Sequence, residues 1–224
     1  MLLVSGYVAA QSSIIVPKNK YKVAVITTKK LLEHTIDLDS NKQMVSLSTL
    51  IPDIAIELSY ASTNNFTHQA LYPSKTNDTY LRLPAAKALQ KVQAALSSKN
   101  YGLKIFDAYR PYSVTKKFWE LINDERYVAN PAKASGHNKG AAVDLTIIDL
   151  KTKKELDMGT AFDNFTDSAH HSYTALPPKV LANRKLLKET MIKYGFKPLE
   201  TEWWHYSWPG NFEALDVSFD DLGK

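Results

Sequence analysis

The sequence predicts an α+β fold, a single domain with a mainly antiparallel sheet flanked by helices. Three observations carry that reading. Helical and strand-like stretches are mixed instead of alternating in βαβ order. The strand-like runs are short and bounded by turn residues. A chain of 224 residues with 44% apolar composition can bury one sizeable core unaided, and no linker, internal repeat or low-complexity run divides it.

Taken in order, residues 1–10 (Met1-Leu-Leu-Val-Ser-Gly-Tyr-Val-Ala-Ala10) are apolar and give way to Gln-Ser-Ser. Val8 and Ala10 fit the small-residue pattern before a signal-peptidase cut, although the run is short and lacks a basic start, so it reads as a truncated signal peptide. A periplasmic or exported location is the expectation; the alternative is a cytoplasmic protein with a packed N-terminal strand. Residues 11–46 read as a variable N-terminal arm, lysine-rich and without clear periodicity, with a strand at Val23-Ala-Val-Ile-Thr-Thr28. The domain proper spans 47–224.

Ile51-Pro-Asp-Ile-Ala-Ile-Glu-Leu-Ser-Tyr60 alternates as a strand, and the polar Asn64-Asn-Phe-Thr67 reads as the loop after it. The clearest helix is Pro84–Leu96: proline suits its first turn, Ala85, Leu89, Val92 and Leu96 form one stripe, and Asn100-Tyr-Gly102 ends it. Leu103–Tyr109 reads as the next strand, delivering Arg110 in extended backbone because Pro111 follows it. Ser113 is placed to cap a second helix carrying Val114, Phe118, Leu121 and Ile122. Ala141, Ala142 and Val143 lead into Leu145-Thr-Ile-Ile148, so Asp144 sits in an apolar, β-prone run that reaches Asp149, followed by a lysine-rich turn and a return strand at Glu155–Met158. Pro177-Pro178 opens a helix with Val180, Leu187, Met191 and Tyr194 on one stripe, closed by Gly195.

Composition excludes several classes. The net charge of +5 comes from scattered lysines, which is a solvated surface and not a nucleic-acid footprint. No stretch approaches the roughly 20 apolar residues of a transmembrane helix. With no cysteine there is no disulfide, and no metal ligand can be a thiolate.

Two segments carry chemistry. Ser135-Gly-His-Asn-Lys-Gly-Ala-Ala-Val-Asp144 sets His137 seven residues ahead of Asp144, with glycines that let the backbone fold the histidine back. A carboxylate inside an apolar strand must be paired or bind a metal. Alone, this segment fits an aspartate neutralised by a lysine equally well. Thr201-Glu-Trp-Trp-His-Tyr-Ser-Trp208 puts Glu202 three residues before His205, and alone it reads as aromatic core. Together, His137, Asp144 and His205 make two imidazoles and one carboxylate, a common set for one catalytic zinc per chain with a fourth position open to water. Glu202 is then the spare carboxylate that deprotonates that water. His170 and His171 read as structural or solvent-facing.

The pattern Ser-x-His-x-x-Gly-x-Ala-Val-Asp followed by Glu-x-Trp-His resembles the D-alanyl-D-alanine metallopeptidases, zinc enzymes of cell-wall chemistry. Tyr60-Ala-Ser-Thr-Asn-Asn-Phe66, Asp107-Ala-Tyr-Arg-Pro111, Met158-Gly-Thr-Ala-Phe-Asp163 and the doubled tryptophan resemble their dipeptidase (VanX-type) branch. The match runs from about residue 50 to about residue 210, five motifs in order. The resemblance implies a Hedgehog/D-Ala-D-Ala peptidase-like fold and Zn2+ on His137, Asp144 and His205. It also implies Glu202 as general base, Arg110 steadying the oxyanion, and a small dipeptide as substrate. Asp163 is the candidate partner for the substrate amine, with hydroxyls from Ser135 and Tyr60 nearby.

The ligands are expected to converge at one edge of the sheet, within about 2.0–2.2 Å of one metal when it is bound. Because residues three apart point to opposite faces of a regular strand, an irregularity is expected between Glu202 and Trp204, with both tryptophans walling the pocket. Rival readings are a D,D-carboxypeptidase or murein endopeptidase with a longer groove and a non-catalytic zinc module. A two-histidine iron oxygenase is a poorer match, since its His and Asp usually stand two apart.

Overall fold

A computed structural model of the protein describes residues 14–73, 75–125 and 128–223; residues 1–10, read above as an export signal, lie outside them. In chain order the elements are β1 (Val25–Ile26), α1 (Lys29–Leu38), β2 (Met44–Ser46), α2 (Leu47–Leu50), β3 (Ala55–Ile56), β4 (Tyr80–Arg82), α3 (Leu83–Ser97) and β5 (Tyr101–Asp107). There follow α4 (Tyr112–Ile122), β6 (Ala142–Asp149), α5 (Pro178–Lys193), β7 (Lys197–Leu199), β8 (Glu202–Ser207), β9 (Ala214–Leu215) and α6 (Phe219–Leu222). This is an α+β fold. Its main sheet has five strands in the order β3-β5-β6-β8-β7, antiparallel throughout except for the short parallel pair β3–β5. Among the described residues no helix is long and apolar enough to cross a membrane.

The core sits between this sheet and the helices α3 and α5. The predicted stripe of α3, Ala85, Leu89, Val92 and Leu96, is buried against Leu103 and Ile105 of β5, Val143, Leu145 and Ile147 of β6, and Leu187 and Met191 of α5. Alternation along β6 then turns Asp144 and Thr146 to the other face. That face carries the site.

Several elements differ from the sequence reading, each for a local reason. The arm is better ordered than its composition suggests: Thr28 caps α1 by accepting from the Leu31 amide at 3.2 Å, Leu32 is buried, and β1 pairs in parallel with β9. The strand predicted over 51–60 shrinks to Ala55–Ile56, because Leu47–Leu50 is helical up to Ile51 and Ser59–Ala61 forms a 3-10 turn. Ser113 does not cap α4. The helix starts at Tyr112, and the Asp216 carboxylate accepts from the Ser113 amide at 2.9 Å instead. Leu121 of that helix is exposed. The return strand at 155–158 reduces to a single bridge between Ile148 and Glu155.

Candidate active site

Register across three neighbouring strands assembles the site. Asp107 on β5 stands opposite Asp144 on β6, and Asp144 opposite His205 on β8, so all three side chains share one face. The site therefore lies over the central strands and not, as expected from the sequence, at the sheet edge. A bulge in β5 makes this possible. Ile105 pairs with Leu145, yet Asp107 pairs with Asp144, so one extra residue is absorbed between them. Without it Asp107 would oppose Val143 and face the helices.

β8 is irregular near Glu202. Against β7 it pairs Tyr206 with Pro198 but Glu202 with Leu199, leaving Trp203, Trp204 and His205 arched out of that ladder. Pairing with β6 extends from Ser207 only as far as His205. The arch brings Glu202 and His205 to the same side: the Glu202 Oε2 lies 3.9 Å from His205 Nδ1. Trp204 lines the cavity, but Trp203 does not. It is buried in the core and donates its indole N–H to Thr160 Oγ1 at 2.8 Å.

His137 sits in the tight turn before β6. Gly140 has φ +64°, and a Cβ there would meet the Met44 side chain at 2.6 Å; a Cβ at Gly136 would sit 2.8 Å from that of Ala142. Buried Asn138 ties the turn to the arginine segment, donating to the Arg110 carbonyl at 2.9 Å and Thr115 Oγ1 at 2.8 Å. Beneath the turn, fully buried Arg82 donates to the carbonyls of Lys42, Lys139 and Glu213.

The Ala108 carbonyl lies 2.8 Å from His137 Nδ1 and can only accept, so that nitrogen carries the proton and Nε2 presents a lone pair. His137 Nε2 is 3.3 Å from His205 Nδ1 and 3.3 Å from Asp144 Oδ2, while Asp144 Oδ1 is 2.9 Å from His205 Nδ1. A tetrahedral metal with bonds of about 2.0–2.1 Å separates its ligands by about 3.3 Å. The donor set and its spacing fit a divalent cation, and among the described residues His137, Asp144 and His205 are the group that could hold one. The charge balance agrees. Burial would raise the Asp144 carboxyl, but the two imidazoles outweigh it and hold the group below the usual carboxylate range. Burial pulls His205 down, yet Asp144 more than compensates and leaves it above the usual imidazole range. The cluster favours added positive charge.

These residues open onto a cavity of about 380 Å³, which also receives Glu202, Arg110, Ser135, Asp163 and Tyr60. All eight residues singled out from the sequence thus meet at one place. Burial raises the Glu202 carboxyl above its ordinary range. Arg110 donates through Nε and Nη2 to Asp107 Oδ2 at 3.0 and 2.7 Å, and stacks on Phe118 and Tyr60 at 4.7 and 5.2 Å. Burial opposes its charge, but Asp107 outweighs this and keeps it protonated. Tyr60 directs its hydroxyl to both oxygens of Asp163 at 3.2 and 3.0 Å, and Ser135 accepts from the His137 amide at 3.2 Å. Burial, then the nearby Asp144, pushes the Asp163 carboxyl well above its usual range. Neither His170 nor His171 lines the cavity, and burial pulls His171 down to about 4, keeping it neutral.

The model of the peptidase M15 family, described as D-Ala-D-Ala dipeptidase, matches residues 40–222. The chain belongs to that family. It is therefore a metallopeptidase. Among curated relatives, the D-alanyl-D-alanine dipeptidase of Escherichia coli (strain K12) is 34% identical over 77% of this chain and 88% of its own length. Enzymes of the same name from Enterococcus faecalis (strain ATCC 700802 / V583) and Streptomyces coelicolor are 28% and 29% identical, over 71% and 70% of this chain and 88% and 87% of theirs. A solved structure of the LdcB LD-carboxypeptidase is 23% identical and aligns with a TM-score of 0.43, over 75% of this chain and 68% of its own.

Sequence reasoning missed the residues that hold this metallopeptidase's named groups in place. Buried Asp107 anchors Arg110 and accepts the Tyr72 hydroxyl at 2.6 Å. Its signal was available, since an aspartate three residues before an arginine across a strand end invites an ion pair. It also missed that the tripeptide Asn-Phe-Thr occurs twice, at 65–67 and 164–166, with both phenylalanines at the cavity.

Proposed function

We propose that this metallopeptidase hydrolyses the D-alanyl-D-alanine dipeptide to two molecules of free D-alanine. A single zinc on His137, Asp144 and His205 would supply Lewis acidity, making a neighbouring water acidic enough to react near pH 7. The chain's own groups do the rest. Glu202, close to the ligands but not one of them, takes the proton of the attacking water and returns it to the leaving amine. Its raised pKa suits it to both transfers. Arg110 stands ready for the negative charge that grows on the carbonyl oxygen, and the Asp107 ion pair holds its guanidinium still. Asp163, oriented by Tyr60, receives the substrate ammonium, with the Ser135 hydroxyl beside it.

One observation carries the reading: a spare carboxylate beside the ligand triangle and a second, separately held carboxylate, Asp163, share one small cavity. The first serves hydrolysis and the second serves recognition of a free amine. The test compares D-Ala-D-Ala with N-acetyl-D-Ala-D-Ala, before and after chelation and after zinc is restored. The expected result is zinc-dependent cleavage of the free dipeptide alone. Equal release of D-alanine from the acetylated substrate would replace this reading with a D,D-carboxypeptidase.

A further inference from the structure

The two Asn-Phe-Thr tripeptides adopt the same turn. In the first, Asn65 Oδ1 accepts from the Thr67 amide and hydroxyl at 2.9 and 2.7 Å. In the second, Asn164 Oδ1 accepts from the Thr166 amide and hydroxyl at 3.0 and 2.6 Å. Each turn fixes the backbone on either side of its phenylalanine. The two rings meet edge to face, with centroids 5.3 Å apart and planes at 90°. The first loop is tied down further, because the Asn65 amide donates to the carbonyls of Ser59, Ser62 and Gln69 at 3.3, 2.7 and 2.9 Å. Both rings are half-buried, and both line the cavity.

Their place in the cavity is set by chain and contact. Phe165 follows Asp163 by two residues, and Asp163 itself turns the chain at φ +57°. Phe66 packs edge-on to Tyr60 at 6.2 Å, the ring whose hydroxyl holds Asp163. The aromatic pair therefore stands beside the proposed amine anchor. We propose that Phe66 and Phe165 are specificity-determining residues, a wall of two interlocked rings that refuses any substituent on the substrate amine. This rests on the dipeptidase reading and adds a steric filter to the charge filter at Asp163. A group on the amine would have to displace rings whose backbones are pinned by their own turns.

N-benzyl-D-Ala-D-Ala separates the two filters, because it keeps a protonated amine for Asp163 and adds only bulk. The expectation is that the wild-type enzyme cleaves it at least about tenfold less efficiently than D-Ala-D-Ala. In the Phe66→Ala/Phe165→Ala double variant, the ratio of the two kcat/KM values should move towards unity by about tenfold or more, with N-acetyl-D-Ala-D-Ala still refused. Thermal unfolding verifies that the variant is folded; if it is not, the single Phe165→Leu variant carries the same measurement. An unchanged ratio in a folded variant overturns the steric wall, as does wild-type cleavage of the benzyl substrate at the parent rate. Wild-type cleavage of the acetylated substrate as fast as the dipeptide instead overturns the dipeptidase reading, so the two failures are distinct.

Discussion

The floor and the wall of the cavity are built in opposite ways. The floor is sheet: Asp107, Asp144 and His205 sit side by side on β5, β6 and β8, each fixed by ladder hydrogen bonds on neighbouring strands. The wall is loop: Tyr60, Phe66, Asp163 and Phe165 come from irregular backbone held by side-chain turns and ring contacts. In the proposed mechanism the floor carries two of the three metal-binding groups, and the wall carries those that choose. Asp144, His205 and the Asp107 that anchors Arg110 are on strands, and His137 and Arg110 are on short segments tied to each other and to the end of β5. Groups that only admit or exclude are instead on loops that can vary without disturbing the sheet.

Substitutions in the two regions should then differ in kind. The largest effect is expected in the floor. Glu202→Gln should lower kcat by about 10²–10⁴-fold, with zinc content by metal analysis unchanged, whereas His205→Ala should lose metal and activity together. A Glu202→Gln enzyme that kept most of its turnover would end the general-base assignment.

Next comes Arg110→Met, with a loss in kcat of about 10²–10³-fold. It also leaves the buried Asp107 carboxylate without its cation, which costs about 3–5 kcal/mol of stability. Denaturant unfolding beside steady-state kinetics reads both losses, and a variant impaired in neither would show the pair to be idle.

In the wall, Asp163→Asn should raise KM for D-Ala-D-Ala about ten- to hundredfold by removing a charged hydrogen bond. Its pH behaviour has a definite sign. Asp163 must be ionised to hold an ammonium, so wild-type KM should rise as pH falls through its elevated pKa, and the variant should lack that limb. A carboxyl whose pKa is raised on folding binds its proton more tightly in the folded state. It therefore costs stability once pH exceeds that of the unfolded group. Asparagine also tolerates positive φ. The variant should accordingly melt at or above the wild-type temperature at neutral pH; a clear drop would mean that Asp163 supports the fold and not the substrate.

The smallest effect is expected for Tyr72→Phe, which removes the 2.6 Å bond to Asp107. A loss of about 1 kcal/mol in stability and a severalfold drop in kcat, without change in KM, would place Tyr72 behind the floor. A change confined to KM would move it to the wall.

The same division explains what could be read from the chain. His137, Asp144, His205 and Glu202 were legible because strand and turn residues surround them in short, characteristic patterns. The amphipathic stripe of α3 was legible because its burial repeats with the helix. What escaped was set by tertiary pairing. The length of β3 depends on β5 and on the helical turn before it, the capping of α4 on Asp216 far along the chain, and the facing of Asp107 on a one-residue bulge. The site's place over the central strands follows from strand order, which no local pattern encodes. Only the partnership of Phe66 with Phe165 left a trace, a repeated tripeptide whose meaning appears once the two turns are seen face to face.

The shared register of β5, β6 and β8 has a consequence for how this protein can be cut, lengthened or recombined. Side chains in a strand alternate strictly, so moving β8 by one position would put Trp204 or Tyr206 where His205 stands and send the imidazole to the opposite face. The proposed ligand set is all or nothing with respect to insertions and deletions. A residue added within β6 or β8 would erase the site while leaving composition and charge almost untouched, whereas one added to the exposed lysine turn at 151–154 shifts no ligand. Length variation in engineered or natural variants should therefore gather outside the span from Asp144 along β6 and from His205 to Ser207.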